Sequence, residues 1–107
     1  MVALVENTDY FIDDSGPGGM GTKQLLVRTL DTVDATDTLT VDLSTYGIND
    51  DGFIGVLGFK HTTDNSVMVQ EQPTTAVSGG VLTITVPAGS DNDPRYYIVW
   101  GIAKPNA

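Results

Sequence analysis

The chain has 107 residues, 40% hydrophobic and 18% charged, and carries 14 Asp plus Glu against 5 Lys plus Arg, a formal net charge of −9. Such a length fits one domain around one core, and such a charge opposes phosphate backbones and anionic lipid, so neither nucleic acid nor a membrane is an expected partner. With no cysteine in the chain, disulfides, thiolate nucleophiles and cysteine-based zinc sites are excluded.

The opening "MVALVENTDYF" has no basic segment, and Glu6 interrupts its apolar residues too early for a signal peptide. The stretch that follows, "NTDYFIDDSGPGGMG", sets Tyr10, Phe11 and Ile12 before a glycine-rich run that is not expected to hold regular structure. Residues 1–22 therefore read as an N-terminal arm ahead of a domain over residues 23–107. The arm has two readings: a segment that orders against another chain, or an ordinary first strand with a mobile loop.

From residue 23 onward the pattern is that of strands. "KQLLVRTL" at residues 23–30 is the first, and "DTLTVDL" at 37–43 alternates Leu39, Val41 and Leu43 against Thr38, Thr40 and Asp42. "GFIGVLGF" at 52–59 is apolar or glycine throughout, the pattern of a strand covered on both faces whose glycines mark bulges or close backbone approach. "SVMVQ" at 66–70 returns from it through a polar tip, "HTTDN". "GGVLTITVPAG" alternates Leu82, Ile84 and Val86 inward, and "RYYIVWGI" at 95–102 has the two-faced apolar character of a central strand or of one that meets a partner chain. The longest apolar run, "YYIVWGIA", is far short of the roughly 20 residues that cross a bilayer, so the chain reads as soluble. Short strands separated by Gly, Asp and Pro, with 12 Gly and 5 Pro in all, predict an all-β fold: a single antiparallel β-sandwich or small barrel with a glycine-rich N-terminal arm.

Chemistry-bearing motifs are sparse. His61 is the sole histidine; Asp64 and Ser66 lie near it, but without a nucleophile elbow it reads as the point where a buried strand meets a turn. The clusters "NDDG" (49–52) and "SDND" (90–93) lack the spacing of an EF-hand and read as turns; Asp50, Asp51, Asp91 and Asp93 are where calcium would be sought. "SGPGGMG" fails the phosphate-loop pattern because its lysine is misplaced and a strand follows. Alternation puts Tyr96 and Trp100 on one strand face and Tyr97 on the other, which argues against one exposed sugar platform, and Trp100 is expected in the core. No catalytic set, cofactor site or metal site emerges, and the chain reads as a protein that works by being bound.

Residues 36–103 resemble the small β-rich virion proteins of tailed bacteriophages, through the strand and turn "TVDLSTYG", the strand "VLGF", the strand "LTITV" and the closing aromatic strand. Size and lack of cysteine are similar to those of head-decoration, or cement, proteins. The resemblance implies a non-enzymatic structural protein on the outer capsid surface of the virion, trimeric and bound to the major capsid protein, with no cofactor. The expected partner contacts are Val2, Leu4, Val5, Tyr10, Phe11 and Ile12 in the arm, whose removal (residues 1–12) is expected to leave a folded domain that no longer binds shells. The alternative from another class is a glycan- or receptor-binding module of a phage tail or adhesin; a small enzyme centred on His61 is the third.

Overall fold

Alternation of buried and part-exposed residues along 95–101 places Arg95, Tyr97, Val99 and Gly101 on one face and Tyr96, Ile98 and Trp100 on the other. The computed structural model describes residues 3–19, 21–30, 34, 36–63, 67–87 and 94–103, with backbone alone for 15–19, 61–63, 67 and 68. Its strands are β1 (Tyr10–Gly19), β2 (Thr22–Thr29), β3 (Thr38–Asp42), β4 (Ile48–Thr63), β5 (Val67–Gln70), β6 (Thr74–Ser78), β7 (Val81–Thr85) and β8 (Arg95–Ala103). They form two antiparallel sheets, one of five strands in the order β1-β2-β8-β4-β5 and one of three in the order β3-β7-β6. The fold is the expected all-β sandwich, and β8 is the central strand that its two-faced apolar sequence predicts.

The core lies between the sheets. Leu25, Val27, Val56, Tyr97 and Val99 from the larger sheet meet Leu39, Val41, Leu82 and Ile84 from the smaller one, and Leu43 and Ile48 close the end. The alternating residues of "TLTV" and "VLTIT" supply the small sheet's inner face, as a half-buried strand requires.

Of the two readings of residues 1–22, the structure has the ordinary first strand for Tyr10–Gly19. Tyr10, Phe11, Ile12, Asp13 and Asp14 pair in register with β2, and the glycine-rich part continues the pairing through two register shifts around Pro17. The expectation that this run holds no regular structure is corrected: bulges absorb the proline and glycines while the ladder persists. Upstream, Leu4 N–H donates to Thr38 C=O at 2.7 Å, and Ala3 bridges Thr38 in parallel.

Three local devices shape the sheets. Residues 49–52, expected as a turn, lie inside β4, where they stand opposite the single Ile102 because pairing jumps from Ile48↔Ala103 to Phe53↔Gly101. This large bulge bends the strand where the acidic residues are. Gly58 accommodates close approach, since a Cβ there would stand 2.2 Å from the Glu71 carbonyl oxygen and 2.8 Å from the Tyr97 ring. The two-residue turn Gly79–Gly80, with φ of +59° and +77°, joins β6 to β7 in a hairpin that needs positive φ at both positions.

Candidate interaction surface

The outward-facing residues of the five-stranded sheet line up in rows across the strands. One row runs Phe11, Arg28, Tyr96, Phe59, Gln70; the next runs Asp13, Leu26, Ile98, Leu57; a third runs Gln24, Trp100, Gly55. Beyond Trp100, Ile102 is 51% exposed. The apolar members of the three rows, Phe11, Leu26, Leu57, Phe59, Tyr96, Ile98 and Trp100, are part-exposed, and among the described residues no further strand or helix layer covers this face. Arg28 stacks over the Phe11 ring with its guanidinium carbon 4.9 Å from the centroid, and its Nε is 3.3 Å from Asp13. Beside Trp100 the surface is open, since a Cβ on Gly55 would meet nothing within 4 Å.

This corrects the expectation that Trp100 is a core residue: the inner face of β8 is taken by Arg95, Tyr97, Val99 and Gly101, so Trp100 shares the outer face with Tyr96. With strands about 4.8 Å apart and same-face residues about 6.7 Å apart, eight such positions cover roughly 250 Å². That is no larger than the roughly 300–600 Å² of the largest apolar patch on an ordinary monomer, and well under the roughly 800 Å² per partner of a standard interface.

The six residues expected to contact a partner are dispersed. Val2 lies outside the described residues. Tyr10 is 1% exposed and spans the sandwich: its hydroxyl donates to Thr40 C=O at 2.6 Å and accepts Thr40 N–H at 3.2 Å. Leu4 and Ile12 pack against the core. Val5 is 57% exposed, and Phe11 on the outer sheet face is part-exposed, as Leu4 and Ile12 also are. An aromatic beside polar residues looks the same in sequence whether it inserts into its own core or another's, and Tyr10 inserts into its own.

His61 sits within β4, its Cα opposite Met68; its side chain, Asp64 and Ser66 are outside the described residues. Asp50 and Asp51 lie in the β4 bulge, and Asp91 and Asp93 are outside the described residues. Among the described residues no three His, Asp or Glu side chains are grouped to hold a metal.

An ionic cluster that sequence reasoning missed lies under the large sheet. Arg95, with its side chain 0% exposed, places Nε 2.8 Å from Glu71 Oε1, and Lys60 Nζ is 3.6 Å from Oε2 of the same carboxylate. Arg95 N–H also donates to Thr29 Oγ1 at 2.8 Å. The Tyr97 hydroxyl is buried without a hydrogen-bond partner among the described residues, and burial pushes its pKa well above the usual phenol range, with Arg95 opposing. Near the other end of the sandwich, the Tyr46 hydroxyl donates to Glu6; that bond and burial push Tyr46 up to about 12. Lys60 and Arg95 are adjacent partners in the β4–β8 register, and Glu71 follows β5 with its N–H on Gly58 C=O. Two cations around one carboxylate, sealed by packing, make a structural clasp.

No family profile and no curated protein matches the chain. A solved structure does: that of AbfB, described as a family 51 α-L-arabinofuranosidase from Bifidobacterium longum, aligns with a TM-score of 0.57 at 19% identity. The alignment covers 87% of this chain and 18% of that one. The likeness is one of fold, between this sandwich and a part of a much longer enzyme.

Proposed function

We propose that this protein is a non-enzymatic structural protein of the head-decoration type, which seats on the outer surface of a tailed-phage head as one copy among many. The observation that carries the reading is the outer face of the five-stranded sheet, an aliphatic and aromatic surface with no covering layer among the described residues. Its footprint is too small for tight binding by a single copy, and repeated contacts on a lattice make up the difference. This face adds to the partner contacts expected in the first twelve residues, with Phe11 common to both, and the major capsid protein and neighbouring copies in a trimer are the surfaces it meets. A net charge of −9 suits a solvent-facing shell component and disfavours contact with packaged DNA.

The test is a binding assay on particles stripped of the protein. The double variant Leu57→Thr with Ile98→Thr keeps residues that strands favour while removing the apolar centre. It is expected to fold and to lose at least tenfold in particle affinity, about 1.4 kcal/mol; undiminished binding contradicts the reading.

A second reading, a glycan-binding module, draws on Trp100, Tyr96 and Phe59 on this same face, since aromatic faces stack on sugar rings, and on the fold likeness to part of an arabinofuranosidase. The middle row weighs against it. Tyr96 and Trp100 lie about 13 Å apart along β8, separated by the aliphatic Leu26, Ile98 and Leu57, a surface better matched to protein side chains than to a polar ring. Retardation of the protein in gels containing arabinan, abolished by Trp100→Ala, would favour the second reading.

A further inference from the structure

The sheet edges are treated unequally. The outward backbone of β3 is used by the protein itself: Leu4 N–H reaches Thr38 C=O, and the Tyr10 hydroxyl serves both backbone groups of Thr40. The β1 edge is interrupted by Pro17 and two register shifts, and β5 is four residues long with a register shift opposite its start. These are devices that prevent strand addition.

β6, five residues long, lacks the proline and the register shifts of the other two edges. Its sequence, Thr-Thr-Ala-Val-Ser, carries no charge, proline or bulge, and all five residues are exposed. Because Thr38 and Thr40 point their backbone away from β7, their partners Thr85 and Thr83 point toward β6, and the bonded pairs there are Thr74–Thr85, Ala76–Thr83 and Ser78–Val81. Thr75 and Val77 therefore turn their N–H and C=O groups outward, where no described residue meets them. Beside this edge is an open depression of about 340 Å³ lined by Asp50, Asp51, Phe53 and Val77. Val77 is 40% exposed although its cross-strand partner Leu82 is fully buried: β6 overhangs the core.

We propose that the free edge of β6 is a docking edge for an extended apolar and basic segment of a different protein, which adds as a strand and sets side chains into the depression. Two carboxylates beside an apolar floor select lysine or arginine alternating with aliphatic residues. A second copy is a poor occupant: four of its five basic residues, Lys23, Arg28, Lys60 and Arg95, are held in strands of its own large sheet, and its N-terminal segment is already engaged on β3. The inference stands on a different surface from the outer sheet face and does not depend on the decoration reading.

The probe is a capped peptide of about nine residues alternating valine and lysine, followed by fluorescence anisotropy and by amide chemical shifts of the full chain. Saturable binding that weakens with salt is expected, with the largest shifts at Thr75 and Val77. The peptide alternating valine and glutamate is expected to bind at least about tenfold more weakly, and N-methylation of alternate peptide amides to abolish binding. In the chain, Val77→Pro removes an outward N–H without a β6–β7 bond, a position where an edge strand tolerates proline, and is expected to abolish binding. Asp51→Asn is expected to weaken the lysine peptide several-fold. Absence of binding, equal binding of the glutamate or N-methylated peptide, or shifts confined to the outer face of the five-stranded sheet would overturn the proposal.

Discussion

Arg95 opens the closing aromatic strand and is fully buried, with the Glu71 carboxylate 2.8 Å from its Nε. Removing one member of a buried pair takes a counter-charge away from the other, at a cost of about 3 kcal/mol or more. Glu71→Ala is expected to lower stability by that order in urea titration, whereas Arg28→Ala, whose partner Asp13 is exposed, is expected to cost below about 1 kcal/mol. Tyr97 behaves in the opposite sense. Its buried hydroxyl lacks a partner among the described residues, so Tyr97→Phe is expected to leave stability unchanged or raise it. Both Tyr97 and Tyr46 hold their protons more tightly in the fold than the ordinary phenol value of 10.0. An unfolded chain loses those protons first, so the folded state binds more protons from about pH 10 upward and stability falls as pH rises through about 12 for Tyr46. Urea midpoints measured at about pH 9 and about pH 11 check the sign, and Tyr97→Phe is expected to flatten the decline.

At the scale of elements, β1 is the informative case. Its ladder with β2, the Tyr10 hydroxyl on Thr40 and the packing of Leu4 and Ile12 mean that removing residues 1–12 opens the core. The truncated chain is expected to melt at a much lower temperature or not fold, contrary to the arm expectation; circular dichroism on heating decides it. Gly80→Ala is expected to destabilise more than Gly79→Ala. Both have positive φ, but a Cβ on Gly80 would lie 2.5 Å from Asp50 Oδ1 while that on Gly79 meets nothing within 4 Å. Strands with one buried face, β3 and β7, were legible because alternation records burial directly. β6 was not, because a strand exposed on both faces leaves no such record; β1 was obscured by Pro17 and its glycines, which signal a loop locally even where bulges carry the ladder through. The outer-face site was half legible: the sequence put Tyr96 and Trp100 together, but a two-faced apolar strand does not say which face is inside. The Lys60–Glu71–Arg95 clasp depends on register across three segments, which no local pattern encodes.

For the whole molecule, among the described residues a part-exposed apolar sheet face and an unpaired β6 edge lie on a sandwich that carries a net charge of −9. The proposed role makes this protein a repeated component of a phage head. Its most direct test is the copy number of the protein in purified particles from its source, relative to the major capsid protein, by quantitative mass spectrometry. The account predicts copies comparable in number with the major capsid protein; a few copies per particle, or none, would contradict it.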